Sequence, residues 1–365
     1  MRYGVIADIG HPGLISCEYT MEFSRSTIVY RLFTLDPQHI IELPLHIAIF
    51  MSEDNMLSEA AHNGLQKMRT NGLSPLGRAR EKQRIALEWI YFWGFSTETI
   101  LNIITNSHRR GLGEALKARG LVHKIPLFTK QNLLSNESRY AYTLTEDGLY
   151  LAQEYLSRAI FLEYNTSEPM RMIRQQQVQH ELLLQKVIAS LYSDDSLLRF
   201  YSTREMEKRQ NELYKVPDAV IVHKTPLGIE ETAIEIELSA KYRRDLDEFR
   251  SGHIFSIENC EATWSRVAIV SPNEHLLSHY KSSVKPDTPV QMWHKNCSSK
   301  RYEPTKEFQI SRERSKYFSF YTPEFFIDFI KESPHMSEYR YSYLFADEQD
   351  RLEEEQALRE AGLLL

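Results

Sequence analysis

Cysteine is scarce in this chain. Three residues in 365, Cys17, Cys260 and Cys297, lie far apart with no CxxC pair. That argues against a zinc ribbon or a disulfide framework and suits a reducing cytoplasm. Long apolar runs are also missing. No stretch approaches the roughly 20 residues that span a bilayer, so no membrane insertion is expected. The N-terminus lacks the basic-then-apolar pattern of a signal peptide. There is no GxxxxGK[ST] loop, which argues against a P-loop ATPase, and no His-x-His pair, which argues against a histidine-cluster relaxase or nickase. His275 and His279 are four apart in "HLLSH", but no glutamate follows the first, so they read as surface histidines rather than a zincin site. Tyrosine is abundant, at 20 residues, and singles out no nucleophile. Tyr214 and Tyr242 fall nearest the carboxylates described below, where aromatic packing is the simpler role.

The composition that remains, 42% hydrophobic and 26% charged, is that of a soluble globular protein with room for two or three domains. The net charge of −6 is uneven. Asp347 to Glu360 holds seven acids against two arginines, so the rest is close to neutral and local patches matter more than the total.

Residues 1–75 are poorly defined and carry no evident chemistry. From Glu81 the pattern sharpens. "EKQRIALEWIYFWG" sets Ile85, Trp89 and Phe92 at helical spacing and stops at Gly94. Ser96 is a candidate cap for "STETILNIIT", and Ser107 for "SHRRGLGEALKARG". Strands "LVHKIPLF" and "RYAYTL" follow, and Thr145 is placed to cap "EDGLYLAQEYLS". Three helices, strand, loop, strand and helix over 80–160 is the order of a winged helix-turn-helix. Its recognition helix would carry Ser107, His108, Arg109 and Arg110 at the end that approaches the major groove, with Lys117 and Arg119 further along and Lys124 and Lys130 on the wing. Glu81 to Lys130 holds eight Lys/Arg against four Glu. Winged helices also serve as protein-interaction modules, but the clustering of these charges favours DNA.

Residues 170–295 read as α-β-β-β-α-β-α-β, an α/β domain with a mixed sheet flanked by helices. It starts with one long helix from Met170 and ends with the strand "TPVQMW". Beyond it, 296–365 form a basic, aromatic extension and an acidic helix.

The chemistry sits in "PDAVIVHKTPLGIEETAIEIELSAK", Pro217 to Lys241. In "TAIEIELS" a strand turns Ile234, Ile236 and Leu238 to one face and Glu235 and Glu237 to the other. A hairpin through "TPLG" brings Asp218 beside Glu235. Two carboxylates on adjacent strands suit magnesium or manganese, which activates water and offsets charge on a cleaved phosphate. Lys241 is placed to hold the water or the phosphate. Taken alone, the strand is also what a half-exposed antiparallel strand looks like, with its acids in solvent. The Pro-Asp pair at hairpin distance, the following lysine and the surrounding element order favour the metal.

These motifs resemble the PD-(D/E)XK restriction-endonuclease-like superfamily. Its pattern ends in lysine where Glu237 stands here, so either Glu237 or Lys241, from the next helix, takes that role. The superfamily often adds an acid from its first core helix. Glu181 in "QHELLLQK", with His180 beside it, is the candidate, although both could be a polar helix edge. A winged helix followed by "QHELLLQ", "VPDAVI" and "IEIELSAKYRRDLDEF" is similar to the MobC-type (MOBC) relaxases of mobilisable plasmids, over roughly residues 80–285. The resemblance implies a cytoplasmic endonuclease that nicks double-stranded DNA at an origin of transfer. Asp218 and Glu235 would be metal ligands, with accessory mobilisation proteins and a coupling protein as partners. The reading from another class is a winged-helix replication or transcription regulator whose nuclease-like domain is only a scaffold. A restriction or transposition nuclease is a third.

Overall fold

The computed structural model of the protein describes residues 2–5, 17–20, 72–107, 111–127, 139–156, 160–208, 213–259, 262–295 and 300–345. The chain divides into two units, residues 1–59 and 60–365. In the first, β1 (Arg2–Val5) pairs antiparallel with β2 (Cys17–Thr20). In the second, α1 (Pro75–Trp93) starts where Ser74 accepts a hydrogen bond from Gly77 N–H and ends at Gly94, whose φ of 83° only glycine adopts freely. Its Ile85, Trp89 and Phe92 are buried, as the helical spacing requires.

The elements that follow α1 are β3 (Ser96–Thr97), α2 (Glu98–Ile104), α3 (Leu112–Ala118), β4 (Val122–Pro126), β5 (Tyr140–Leu144) and α4 (Glu146–Tyr155). The three strands form one small sheet in the order β3-β5-β4. Thr145 caps α4 by accepting from Gly148 N–H at 3.1 Å. Ser96 does not cap α2. It pairs with Tyr142 as a strand residue, and Thr97 holds the cap position without its side chain bonding the helix amides. Ser107 does not cap α3 either, because that helix starts at Leu112. The cap comes from Glu98, whose carboxylate accepts the N–H groups of Gly111, Leu112 and Gly113 at 2.7, 2.8 and 2.9 Å. A carboxylate on three orphan amides is a strong cap, since charge assists each bond. The expected cap rule considers only neighbours in sequence, and this one crosses between helices.

The helix expected from Met170 is split. Pro169–Met172 forms a single 3-10 turn, and α5 (Val178–Leu191) begins later. Then come β6 (Leu197–Tyr201), α6 (Thr203–Glu207), β7 (Ala219–Thr225), β8 (Gly228–Ile236), α7 (Arg243–Glu258), β9 (Arg266–Val270), α8 (Glu274–Ser283) and β10 (Pro289–Lys295). They are followed by β11 (Tyr302–Gln309), α9 (Arg312–Ser315), β12 (Phe318–Tyr321), α10 (Pro323–Glu332) and α11 (Glu338–Leu344). A five-stranded mixed sheet runs β12-β9-β8-β7-β6. The pairs β8/β9 and β9/β12 are parallel, and the others are antiparallel. The sheet does not end with "TPVQMW". β10 pairs with β11 in a separate ribbon, and the edge strand is β12, from beyond residue 295. A local pattern marks a strand but not its partner.

Both faces of this sheet are covered. Ile221, Ile234, Ile236 and Ala268 join one core with Trp89, Ile188 and Phe326. Val220, Ala233, Val267 and Ile269 join the other with Phe249, Ile254 and Tyr280. The first core also ties 72–156 to the large sheet. Trp89 Nε1 donates to Gln185 Oε1 at 3.1 Å, Gln185 Nε2 donates to the Phe95 carbonyl at 3.0 Å, and Trp93 stacks on Phe200 at 5.8 Å. No described helix is long and apolar enough to cross a membrane.

Candidate active site

The hairpin β7-β8 sets the site. Its turn closes with Leu227 N–H donating to Thr225 Oγ1 at 3.2 Å and with Gly228 at φ 119°, a conformation that disfavours any side chain. The register from Thr225↔Gly228 to Ala219↔Ile234, carried one pair further, sets Asp218 opposite Glu235. Residues directly opposite share a face, so the two carboxylates lie side by side.

The solvated-face reading requires Glu235 and Glu237 to be exposed. They are 2% and 4% exposed, because α7 and α8 cover that face. A buried carboxylate needs compensation, and each acid has it. Glu235 accepts from Lys215 Nζ at 3.1 and 3.4 Å and from His253 Nε2 at 3.0 Å. Against the opposing effect of burial, the Lys215 charge and the His253 contact hold Glu235 below the usual carboxylate range. Burial in turn holds His253 below its ordinary value. Its Nδ1 is buried with no hydrogen-bond partner among the described residues. Glu237 pairs with Lys241 Nζ and accepts from the Tyr280 hydroxyl at 2.8 Å. Its carboxyl is still raised, because burial outweighs the Lys241 charge.

Asp218 Oδ2 accepts twice, from His180 Nε2 at 2.9 Å and from Ile236 N–H at 2.8 Å. Burial would lower His180, but the hydrogen bond and charge of Asp218 outweigh it and raise the imidazole to about 9. Next to it on α5, Glu181 is 8% exposed and is raised by burial to about 7. His180 and Glu181 are therefore not a solvated helix edge. Both face an open cleft of about 560 Å³, which is also lined by Lys215, Asp218, Glu235, Glu237 and Lys241. Lys241 lies before α7 rather than on it.

Sequence reasoning missed Lys215, His253 and Tyr280. Lys215 is three residues before Asp218 but belongs to no spacing rule. Its backbone N–H donates to Ser256 Oγ at 3.2 Å, and its stem crosses α7 at Gly252. A Cβ on Gly252 would stand 2.7 Å from Lys215 Cβ, so glycine is what lets the lysine reach Glu235. His253 and Tyr280 arrive from helices 18 and 43 residues beyond the acids they bond. No local pattern carries that.

His108, Arg109, Arg110 and Lys130 lie outside the described residues. Ser107 accepts from Lys82 Nζ at 2.7 Å in the turn after α2. Lys117 is exposed on α3. Lys124 is paired with Glu114 at 2.5 Å, so its charge is already answered.

Among the described residues no group of three or more His, Cys, Asp or Glu side chains is arranged to hold a metal ion. Magnesium, however, keeps several waters and commonly takes one or two carboxylates plus substrate phosphate. The Asp218–Glu235 pair fits that demand in kind, since both are hard oxygen donors on one cleft wall. Asp218 Oδ1 makes no hydrogen bond among the described residues. No family model matches the chain, nor does any curated protein or solved structure.

Proposed function

We propose that the protein is a metal-dependent DNA endonuclease that nicks one strand at a plasmid origin of transfer. Residues 170–345 would act as a PD-(D/E)XK-like catalytic part, and 72–156 as a winged helix that presents α3 to the duplex. The observation that carries the reading is the Asp218–Glu235 pair, half-buried and buried respectively, opposed across β7-β8 and opening on a cleft. Carboxylates perturbed by burial and by specific charge partners in a cleft mark a candidate functional site. The transfer origin rests on the sequence resemblance alone, and the cytoplasmic setting on that resemblance and on the scarcity of cysteine.

Asp218 and Glu235 would hold magnesium or manganese, an ion that supplies charge against the developing phosphorane and favours ionisation of water. His180 orients Asp218 by holding Oδ2, which leaves Oδ1 for the ion. Glu237, whose carboxyl burial raises above its ordinary value, would accept the proton of the attacking water in its ionised form. Lys241 and Lys215 face the cleft with ammonium groups that meet a phosphate oxygen. Tyr280 fixes the Glu237 carboxylate.

The test is nicking of supercoiled plasmid carrying the cognate site. All-oxygen ligation selects magnesium or manganese over zinc, so nicking needs one of those ions and stops with chelator. Robust nicking in excess EDTA contradicts the proposal. One observation favours the second reading, a regulator with a silent site: Glu235 and Glu237 are already neutralised by lysines. Specific DNA binding without nicking in either metal would decide for it.

A further inference from the structure

The free edge of the five-stranded sheet carries its own surface. Among the described residues β12 pairs with β9 on one side only. Tyr317 and Tyr321 turn their carbonyls to β9, accepting from Val267 and Ser271 N–H. Along this edge runs a groove of about 330 Å³. Phe320, Phe325 and Phe329 give it aromatic walls, and Lys281, Lys285 and Lys316 line it with charge. Among the described residues that line it none is acidic. Phe325 is 60% exposed and stacks on Tyr321 at 5.9 Å, so one ring face is backed by protein while much of the ring meets solvent.

Strand direction links this groove to the carboxylates. β8, β9 and β12 are parallel, and their register lines up Ile236, Val270 and Tyr321 in one row. Their carboxyl ends therefore open on the same rim of the sheet. Glu237 follows β8 on that rim, and Phe325 follows β12 in the first turn of α10. Strands lie about 4.8 Å apart, so β8 and β12 are separated by about 10 Å. The carboxylates and Phe325 thus lie on one rim of the sheet, two strands apart.

We propose that this groove binds single-stranded nucleic acid, with a base stacked on Phe325 and phosphates on Lys281 and Lys285. Exposed aromatic rings beside a row of cations are what a sequence-tolerant single-strand site needs. An acidic peptide added to the β12 edge is the competing occupant. The edge is only four residues long, and its two outward residues, Phe318 and Phe320, offer few backbone bonds to an added strand. The inference deepens the nuclease reading, and rests on it for the source of the strand, which is the one freed by the nick.

The experiment is fluorescence anisotropy with a labelled oligothymidylate of about 12 nucleotides, a length within the usual single-strand site range, at several salt concentrations. Phe325→Ala should weaken binding about tenfold, as expected for one lost stacked base, and Phe325→Trp should keep it. Lys281→Glu with Lys285→Glu should weaken it and lower the log-log salt slope by about 1.4, for two lost phosphate contacts. Circular dichroism confirms folding, and Phe325 and the lysines are far enough exposed to be replaced. Variants that bind as wild type, or a wild type that binds no oligonucleotide, overturn the proposal. A glutamate-rich peptide whose binding is lost on Phe325→Ala, while oligonucleotide binding is not, assigns the surface to a protein partner and also overturns it. Nicking is followed on the same preparations. A wild type that binds through the groove without nicking leaves this site standing and removes the nuclease reading.

Discussion

Buried ionisable side chains at the cleft make pH the most informative variable at the scale of single residues. Glu181 is raised to about 7 by burial, so its folded-state pKa lies above its unfolded value. Its contribution to stability is complete below about 4.5 and is lost as pH rises through about 7. Glutamine imitates the neutral acid. Glu181→Gln should match wild type near pH 4 and exceed it by on the order of 2 kcal/mol above pH 8. His180 is raised to about 9 by Asp218. Its pair stabilises the fold fully below about 6.5 and fades as pH rises through about 9. His180→Gln should therefore lose on the order of 2 kcal/mol near pH 6 and almost nothing near pH 10. Urea titrations at both ends of the range check the two signs. A pH-independent difference for either variant would show that the group is not buried as described. At this scale the acids were legible in the sequence, because alternation fixes the face of Glu235 and the hairpin fixes Asp218 across from it. Their partners were not. Lys215, His253 and Tyr280 are brought in by tertiary packing of a loop and two helices.

At the scale of elements, α7 acts as the seat of the site. It carries His253 against Glu235, and Gly252 gives room for the Lys215 stem. Gly252→Ala gains about 1 kcal/mol of helix propensity but forces its Cβ onto Lys215. The net effect should be a loss of about 1–2 kcal/mol and slower nicking, since Lys215 is pushed from Glu235. Gly77→Ala on α1, whose nearest neighbours stand 3.4 Å away, is the control and should cost nothing measurable. Equal behaviour of the two variants in thermal melts would remove Gly252 from the seat. Element identity was largely legible, from "EKQRIALEWIYFWG" to "SRVAIV", because each has a clear period. Pairing was not. "TPVQMW" is a strand as expected, yet its partner is β11, while the short "FSFY" of β12, with no alternation to mark it, completes the main sheet. Glu98 capping α3 was likewise invisible, since the two lie on different helices.

At the scale of the molecule, 72–156 and the large sheet share one apolar core through Trp89, Trp93 and Phe200, tied by the Trp89–Gln185 hydrogen bond. A shared core couples their stability. Unfolding of residues 72–345 in urea should therefore be a single transition, coincident by tryptophan fluorescence and by circular dichroism. Two separated transitions would mean that the halves are independent. The coupling also gives the proposed DNA-reading part a rigid attachment to the carboxylates. Whether those carboxylates perform chemistry is decided by replacing them one at a time. Asp218→Ala and Glu235→Ala, confirmed folded, are assayed for nicking of supercoiled cognate DNA and for DNA binding on the same preparations. Losing a metal ligand removes water activation and charge stabilisation together, so nicking should fall at least about a hundredfold. Binding should stay within a few-fold or tighten, because a carboxylate near phosphates repels them. Full nicking by either folded variant contradicts the assignment of the site.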